Sequence, residues 1–118
     1  MLGDRRRILV AEDNWVIAQD IAAALTEMGY AVIGPAATLA QARRLGADDI
    51  DGAVLDLRLG DGTAIVFALE LARRGKRVLV ISGAGLPNEL ADLDGLQKPF
   101  GTRDLEAALA AALGPARA

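Results

Sequence analysis

The chain contains no cysteine and no histidine. Without cysteine there is no disulfide, no thiolate nucleophile and no sulfur-bound structural zinc. Without histidine the usual general base, the usual transition-metal ligand and any histidine phosphocarrier role are excluded as well. Long apolar runs are also missing, and the longest falls far short of a membrane span. Arg5-Arg6-Arg7 ahead of Ile8-Leu9-Val10-Ala11 imitates the opening of a signal peptide, but Glu12 and Asp13 end the apolar part after four residues. These absences lead to the expectation of a cytoplasmic protein with no membrane partner. Its chemistry must come from carboxylates, hydroxyls and lysine.

What is present is a globular composition: 118 residues, 53% apolar and 25% charged. That is enough for one continuous core and too little for a second domain, so residues 1–118 are expected to form a single domain. The formal net charge of −3 argues against nucleic acid as a direct partner. The local basic cluster of Arg73, Arg74, Lys76 and Arg77 reads as a solvated turn.

Along the chain, five apolar runs alternate with helical patterns. Ile8-Leu9-Val10-Ala11 is uninterrupted, as expected of a central parallel strand covered on both faces, and it ends in Glu12-Asp13. Asn14 caps a helix with Ile17, Ile21, Ala24, Leu25 and Met28 on one face, stopped by Gly29. Ala31-Val32-Ile33 predicts a short second strand closed by Gly34-Pro35. Thr38 then caps a helix carrying Leu39, Ala42 and Leu45, with Gly46 at its end. The third strand, Ala53 to Asp56, runs into a loop at Gly60-Asp61-Gly62 and a helix that turns Ile65, Val66, Leu69 and Ala72 inward until Gly75. Val78-Leu79-Val80-Ile81 is the fourth strand and ends at Ser82. Beyond the side-chain-poor Gly83-Ala84-Gly85, residues Leu86 to Leu93 offer at most two helical turns. Leu96 and Gln97 make a brief fifth strand before Lys98-Pro99. Thr102 caps a last helix with Leu105, Leu109 and Leu113 aligned, ended by Gly114-Pro115, and the final residues are expected to fray.

Alternating βα units of this length imply an α/β fold, a doubly wound parallel sheet in the order 2-1-3-4-5 with a reduced fourth helix. In that order the first and third strands are neighbours. Glu12, Asp13 and Asp56 then meet outside the carboxyl ends of the strands, with Ser82 and Lys98 arriving from strands four and five.

Clustered carboxylates need neutralising, because two unit charges about 4 Å apart repel by roughly 4 kcal/mol at an effective dielectric near 20. With oxygen ligands only and no ladder of acids like a calcium loop, Mg²⁺ is favoured, with Mn²⁺ possible. A carboxylate, such a cation, a lysine and a hydroxyl together suit phosphoryl transfer, which needs an in-line nucleophile and neutralisation of three equatorial oxygens. Asp56 is the candidate nucleophile, and Ser82 and Lys98 the candidate holders of phosphoryl oxygens. Taken alone, each has a plainer reading. Asp56 is a turn former, Glu12-Asp13 an acidic pair at a helix N-terminus, Ser82 a turn hydroxyl and Lys98 a surface charge. Gly83-Ala84-Gly85-Leu86-Pro87-Asn88 superficially resembles a dinucleotide loop but lacks the third glycine, and is read as a flexible loop. Trp15, the sole tryptophan, is read as a packing residue near the site.

Four pieces in order carry a family resemblance: Val10-Ala11-Glu12-Asp13-Asn14, Leu55-Asp56-Leu57-Arg58-Leu59-Gly60-Asp61-Gly62, Ser82, and Lys98-Pro99-Phe100. Over essentially its whole length the chain resembles a response-regulator receiver domain of bacterial two-component signalling, whose fold is flavodoxin-like (βα)5. The resemblance implies that Asp56 takes a phosphoryl group from a histidine kinase or histidine phosphotransfer protein. Glu12, Asp13, Asp56 and the main-chain carbonyl of Arg58 would hold Mg²⁺, and Ser82, Gly83 and Lys98 the phosphate. It further implies a cis Lys98-Pro99 bond, positions at Arg58 and Ala84 that tune dephosphorylation, and a downstream protein partner rather than an enzymatic output.

Two departures from that family stand out. Gly95 occupies the place, three residues before the lysine, where such domains usually carry Tyr or Phe. The segment between Ser82 and Lys98 is short and glycine-rich, which is similar to atypical stand-alone receivers. Switching is then expected to use the conformational loop of Gly83, Ala84 and Gly85, which moves Leu86 to Leu93. One alternative is a phosphorylation-independent docking domain that kept the fold. The other, an aspartate-nucleophile phosphatase, calls for Asp-x-Asp where this chain has Asp56-Leu57-Arg58.

Overall fold

The computed structural model describes residues 5–47 and 49–117. Its elements in chain order are β1 (Arg7–Ala11), α1 (Trp15–Glu27), β2 (Ala31–Ala36), α2 (Leu39–Gly46), β3 (Gly52–Asp56), β4 (Arg58–Leu59), β5 (Gly62–Thr63), α3 (Ile65–Arg73), β6 (Arg77–Ser82), a 3-10 turn (Asn88–Leu90), β7 (Asp94–Gln97) and α4 (Thr102–Leu113). Five parallel strands form one sheet in the order β2-β1-β3-β6-β7. Counting the main strands alone, that is the expected order 2-1-3-4-5. β4 and β5 form a separate antiparallel ladder that the loop reading of Gly60-Asp61-Gly62 does not anticipate.

Because successive strand side chains point to opposite faces, the continuous apolar runs feed two cores. Leu9, Ala53, Leu55, Val78 and Val80 pack against Ala42 of α2 and Phe67, Ala68 and Leu71 of α3. Ile8, Val10, Val54, Leu79 and Ile81 pack against Ile21 and Leu25 of α1 and Leu105, Leu109 and Leu113 of α4. Each strand of the main sheet therefore ends at the same rim, between the two helical layers.

Several local expectations are corrected. α3 is apolar almost all round, so periodicity alone does not decide its inward face. Ala64, Phe67, Ala68 and Leu71 are buried, at the spacing of one helical stripe, while Val66 faces solvent. Burying Phe67 removes more apolar area from water than burying Val66 would. β2 runs past Ile33 to Ala36, with a register irregularity opposite Leu9 to Ala11 and a cis Gly34-Pro35 bond. Gly46 closes α2 without a left-handed backbone. It is glycine because a Cβ there would lie 2.9 Å from Phe67 Cζ. Thr102 is the first residue of α4 rather than its cap, and Gly101 stands at the cap position without a side-chain bond. The end of the chain is tied down, since Arg5 bridges to Arg117 and the Arg6 amide donates to the Ala116 carbonyl at 2.7 Å. Residue 118 lies outside the described residues. In the basic turn, Arg73, Arg74 and Arg77 are exposed as expected.

The fourth helix is reduced further than expected. Only the 3-10 turn at Asn88–Leu90 remains of it, anchored by the fully buried Leu90. Gly83, Ala84 and Gly85 supply no side chains with which a helix could cover the sheet, and Pro87 breaks any helical course beyond them. No helix among the described residues is long and apolar enough to cross a membrane.

Candidate functional site

β1 and β3 are paired in parallel with Ala11 opposite Leu55, so the residues that come after this pair, Glu12 and Asp56, emerge side by side. β6 lies on the other side of β3 with Ile81 opposite Asp56, and β7 beyond it with Gln97 opposite Ser82. The register alone carries Ser82 and Lys98 to the same rim. There a cavity of about 700 Å³ is lined by Asp13, Asp56, Arg58, Thr63, Ser82, Gly83, Ala84, Leu86 and Lys98, among others.

Lys98 is the centre of the ionic network. Its Nζ lies 3.1 Å from Asp56 Oδ2, to which it donates, and 2.8 Å from Glu12 Oε1. Glu12, Asp56 and Ser82 are all buried, at 2%, 6% and 8% exposure, whereas Asp13 is exposed at the mouth. Asp56 Oδ1 accepts from the Arg58 amide at 3.2 Å, and Glu12 Oε2 from the Asn14 amide at 3.1 Å. Burial, and secondly a hydrogen bond shared with Asp56, raise the Glu12 carboxyl to about 7 against the pull of Lys98 and the Asn14 amide. Burial pulls Lys98 down, but its bonds to Glu12 and Asp56 outweigh that and leave it above its ordinary value. The ammonium therefore stays charged at neutral pH.

One lysine does not satisfy the pocket. Carboxylate oxygens of Glu12, Asp13 and Asp56 all lie within 4.8 Å of one another, and the buried Glu12 Oε1 has the Lys98 ammonium at 2.8 Å. Three carboxylates against one ammonium leave unbalanced negative charge, which is costly in a buried pocket. An all-oxygen set of this charge fits a hard divalent cation.

Asp13, Asp56, Ser82, Gly83 and Lys98 thus line one cavity, with Glu12 paired to Lys98 beside it, and Lys98-Pro99 is cis. Trp15 is not a packing residue. It is 73% exposed, as the first residue of α1, where a side chain that leans toward the helix N-terminus has no preceding turn to cover. Three features escape the sequence reading. Asp61 caps α2 from the β4–β5 turn, accepting from Leu39 and Ala40 at 2.6 and 3.0 Å. Gln97 Nε2 donates to the Gly83 carbonyl at 3.3 Å. Leu86 fills the space over Gly95. No local signal marks these pairs, since their members lie on different elements.

No family model matches the chain. It is 32% identical over 117 residues to the regulatory protein VirG of Agrobacterium fabrum, covering 92% of this chain and 46% of that protein, so it spans less than half of that relative. Among solved structures, the chemotaxis response regulator CheY4 of Vibrio cholerae superposes with a TM-score of 0.81 at 21% identity, covering 93% of this chain and all of that one. A response regulator protein from Burkholderia pseudomallei superposes at 0.75 with 28% identity, covering 92% of this chain and 67% of that one. That structure carries a phosphorylated aspartic acid, a calcium ion and citrate.

Proposed function

We propose, since this chain is in motif and fold a response-regulator receiver domain, that it accepts a phosphoryl group on Asp56 and passes the resulting change of conformation to a protein partner. The observation that carries the reading is the Lys98 ammonium held between Asp56 Oδ2 and Glu12 Oε1 beside a cavity large enough for a phosphoryl group and its donor. A carboxylate oxygen of Asp56 attacks phosphorus, the new P–O bond forms, and the bond to the donor nitrogen of a histidine kinase or histidine phosphotransfer protein breaks. The electron pair leaves with the imidazole. Lys98 then turns from the Asp56 carboxylate to a phosphoryl oxygen, and the Ser82 hydroxyl and the Gly83 backbone stand at the same wall for the others.

Glu12, Asp13, Asp56 and the Arg58 carbonyl would hold Mg²⁺, or Mn²⁺ in its place. Bound there, the cation supplies neutralisation of the developing charge on the phosphoryl oxygens. Phosphorylation replaces the single negative charge of the Asp56 carboxylate by the about −1.5 to −2 of a phosphoryl group, with three strong acceptor oxygens, at one buried point. That charge favours whichever arrangement of the Gly83-Ala84-Gly85 loop holds it better, and complete switching requires roughly 5.5 kcal/mol of such preference.

Intact mass after incubation with acetyl phosphate tests this. One added phosphoryl group, dependent on Mg²⁺ and absent from Asp56→Ala, is the expected result. A protein that gains none from acetyl phosphate or from a phosphorylated histidine donor is instead a docking domain with this fold.

A further inference from the structure

Gly95 is glycine for a reason other than its own backbone. Its φ is not in the left-handed region, so any residue adopts this conformation. What excludes a side chain is Leu86. A Cβ on Gly95 would lie 2.8 Å from Leu86 Cγ, 2.9 Å from Cδ1 and 3.1 Å from Cδ2. Leu86 reaches this position from the strap that connects β6 to the 3-10 turn, and it also packs against the core on the α2 and α3 side of the sheet.

The strap separates two hollows. Ser82, Gly85 and Leu86 line both the large cavity containing Asp56 and a second one of about 280 Å³ over Gly95 and Leu96. A Cβ at Gly83 or Gly85 would meet nothing within 4 Å, so the glycine stretch has no packing of its own. Its remaining ties are two hydrogen bonds, Ala84 amide to Ser82 Oγ at 3.1 Å and Gln97 Nε2 to the Gly83 carbonyl at 3.3 Å. Against these two neutral hydrogen bonds, each a weak tie once exchange with water is counted, the inserted leucine is the stronger anchor.

We infer that Leu86, seated on Gly95, is a positioning residue for the phosphoryl site: it fixes the strap, and through the strap the placement of Ser82 and Gly83 at the wall of the Asp56 cavity. The inference rests on the phosphoacceptor reading above. Leu86 and Gly95 act as one device, a side chain and the socket left for it. Removing the side chain and filling the socket must then have the same consequence.

The test is a double-mutant cycle with Leu86→Ala, Gly95→Ala and the two combined, read by the initial rate of phosphoryl uptake from acetyl phosphate with Mg²⁺ and by amide exchange of residues 83–86. Each single variant is expected to slow uptake and speed exchange by roughly tenfold, the scale of coupling between residues in direct contact. The double variant is expected to be no worse than the worse single one, because the contact can be lost only once. Leu86→Met, which keeps the volume, holds uptake within about twofold of wild type. Leu109→Val, a core change on the opposite face, lowers stability and leaves uptake unchanged; equal slowing by that variant overturns the inference, since stability alone would then account for the effect. Where Leu86→Ala unfolds at the assay temperature, Leu86→Val takes its place in the cycle. Single effects that multiply in the double variant overturn the inference, as do variants that match wild-type uptake. Wild-type protein that takes up no phosphoryl group brings down the phosphoacceptor reading itself, and this one with it.

Discussion

Lys98 Nζ stands between two buried carboxylates, 2.8 Å from Glu12 and 3.1 Å from Asp56, on side chains that are 24%, 0% and 8% exposed. The lysine comes from beyond the edge strand and the acids from the ends of two inner strands, so the ion triad ties three segments of the rim together.

Removing that cation exposes what it balances. Lys98→Met leaves two buried carboxylates facing each other, and at pH 8 without metal it is expected to destabilise the fold by about 3 kcal/mol or somewhat less, given the partial exposure of the lysine. Urea unfolding of wild type and variant measures the difference. An unchanged midpoint would show that the triad carries no stability.

Glu12 sets a pH dependence of definite sign. Its folded-state carboxyl is raised from 4.5 to about 7, so between those values the folded chain binds the proton and the unfolded chain does not. The metal-free protein is therefore favoured at the acid end of this window by that group, and the contribution is lost as pH rises through 7. At about 1.4 kcal/mol per factor of ten in proton affinity, the ceiling is about 3.5 kcal/mol. Glu12→Gln should be more stable than wild type at pH 8 by up to that amount and equal to it near pH 4.5. Paired unfolding curves across pH 4.5–8 check the crossing.

Divalent metal should reverse that penalty. At a Mg²⁺ concentration 100 times its dissociation constant, stabilisation of about 2.7 kcal/mol is expected, through neutralisation of the acids that repel in its absence. Asp13 is exposed, so Asp13→Asn is expected to leave metal-free stability within about 0.5 kcal/mol while erasing the metal effect. Thermal melts with and without MgCl₂, and with MnCl₂ in parallel, distinguish the two.

Asp61 gives a prediction away from the phosphoryl site. Its carboxylate accepts from the Leu39 and Ala40 amides, which hold it below the usual aspartate range. The bonds are fully present above its ordinary value and are lost as pH falls through the lowered one. Asp61→Ala should lower the melting temperature and speed exchange of those two amides roughly tenfold, with little change at the far end of α2. Unchanged exchange at Leu39 and Ala40 would show that water replaces the cap without loss.

Much of this molecule is legible from the chain itself. Val78-Leu79-Val80-Ile81 has no polar residue with which to face water, so it must be a strand buried on both sides. Asn14, Gly29, Thr38 and Gly114 mark helix ends through their own backbone and side-chain chemistry. With the strands in the expected doubly wound order 2-1-3-4-5, Asp56, Glu12, Asp13, Ser82 and Lys98 come to one rim of the sheet without any knowledge of a contact. These are consequences of local composition and of the loss of apolar surface from water, which is non-directional and needs no exact partner.

Only the tertiary structure decided which atoms meet. Phe67 rather than Val66 turns inward because the space between α2 and the sheet, opened by Gly46, accepts a ring. Trp15 stays in solvent at the start of α1, although its size and apolarity alone suggest packing. Asp61 finds the end of α2, and Leu86 the bare backbone of Gly95, across loops whose course no periodicity encodes. Such pairs depend on separations of a few tenths of an ångström between elements distant in the chain, and those separations exist only once the layers have closed.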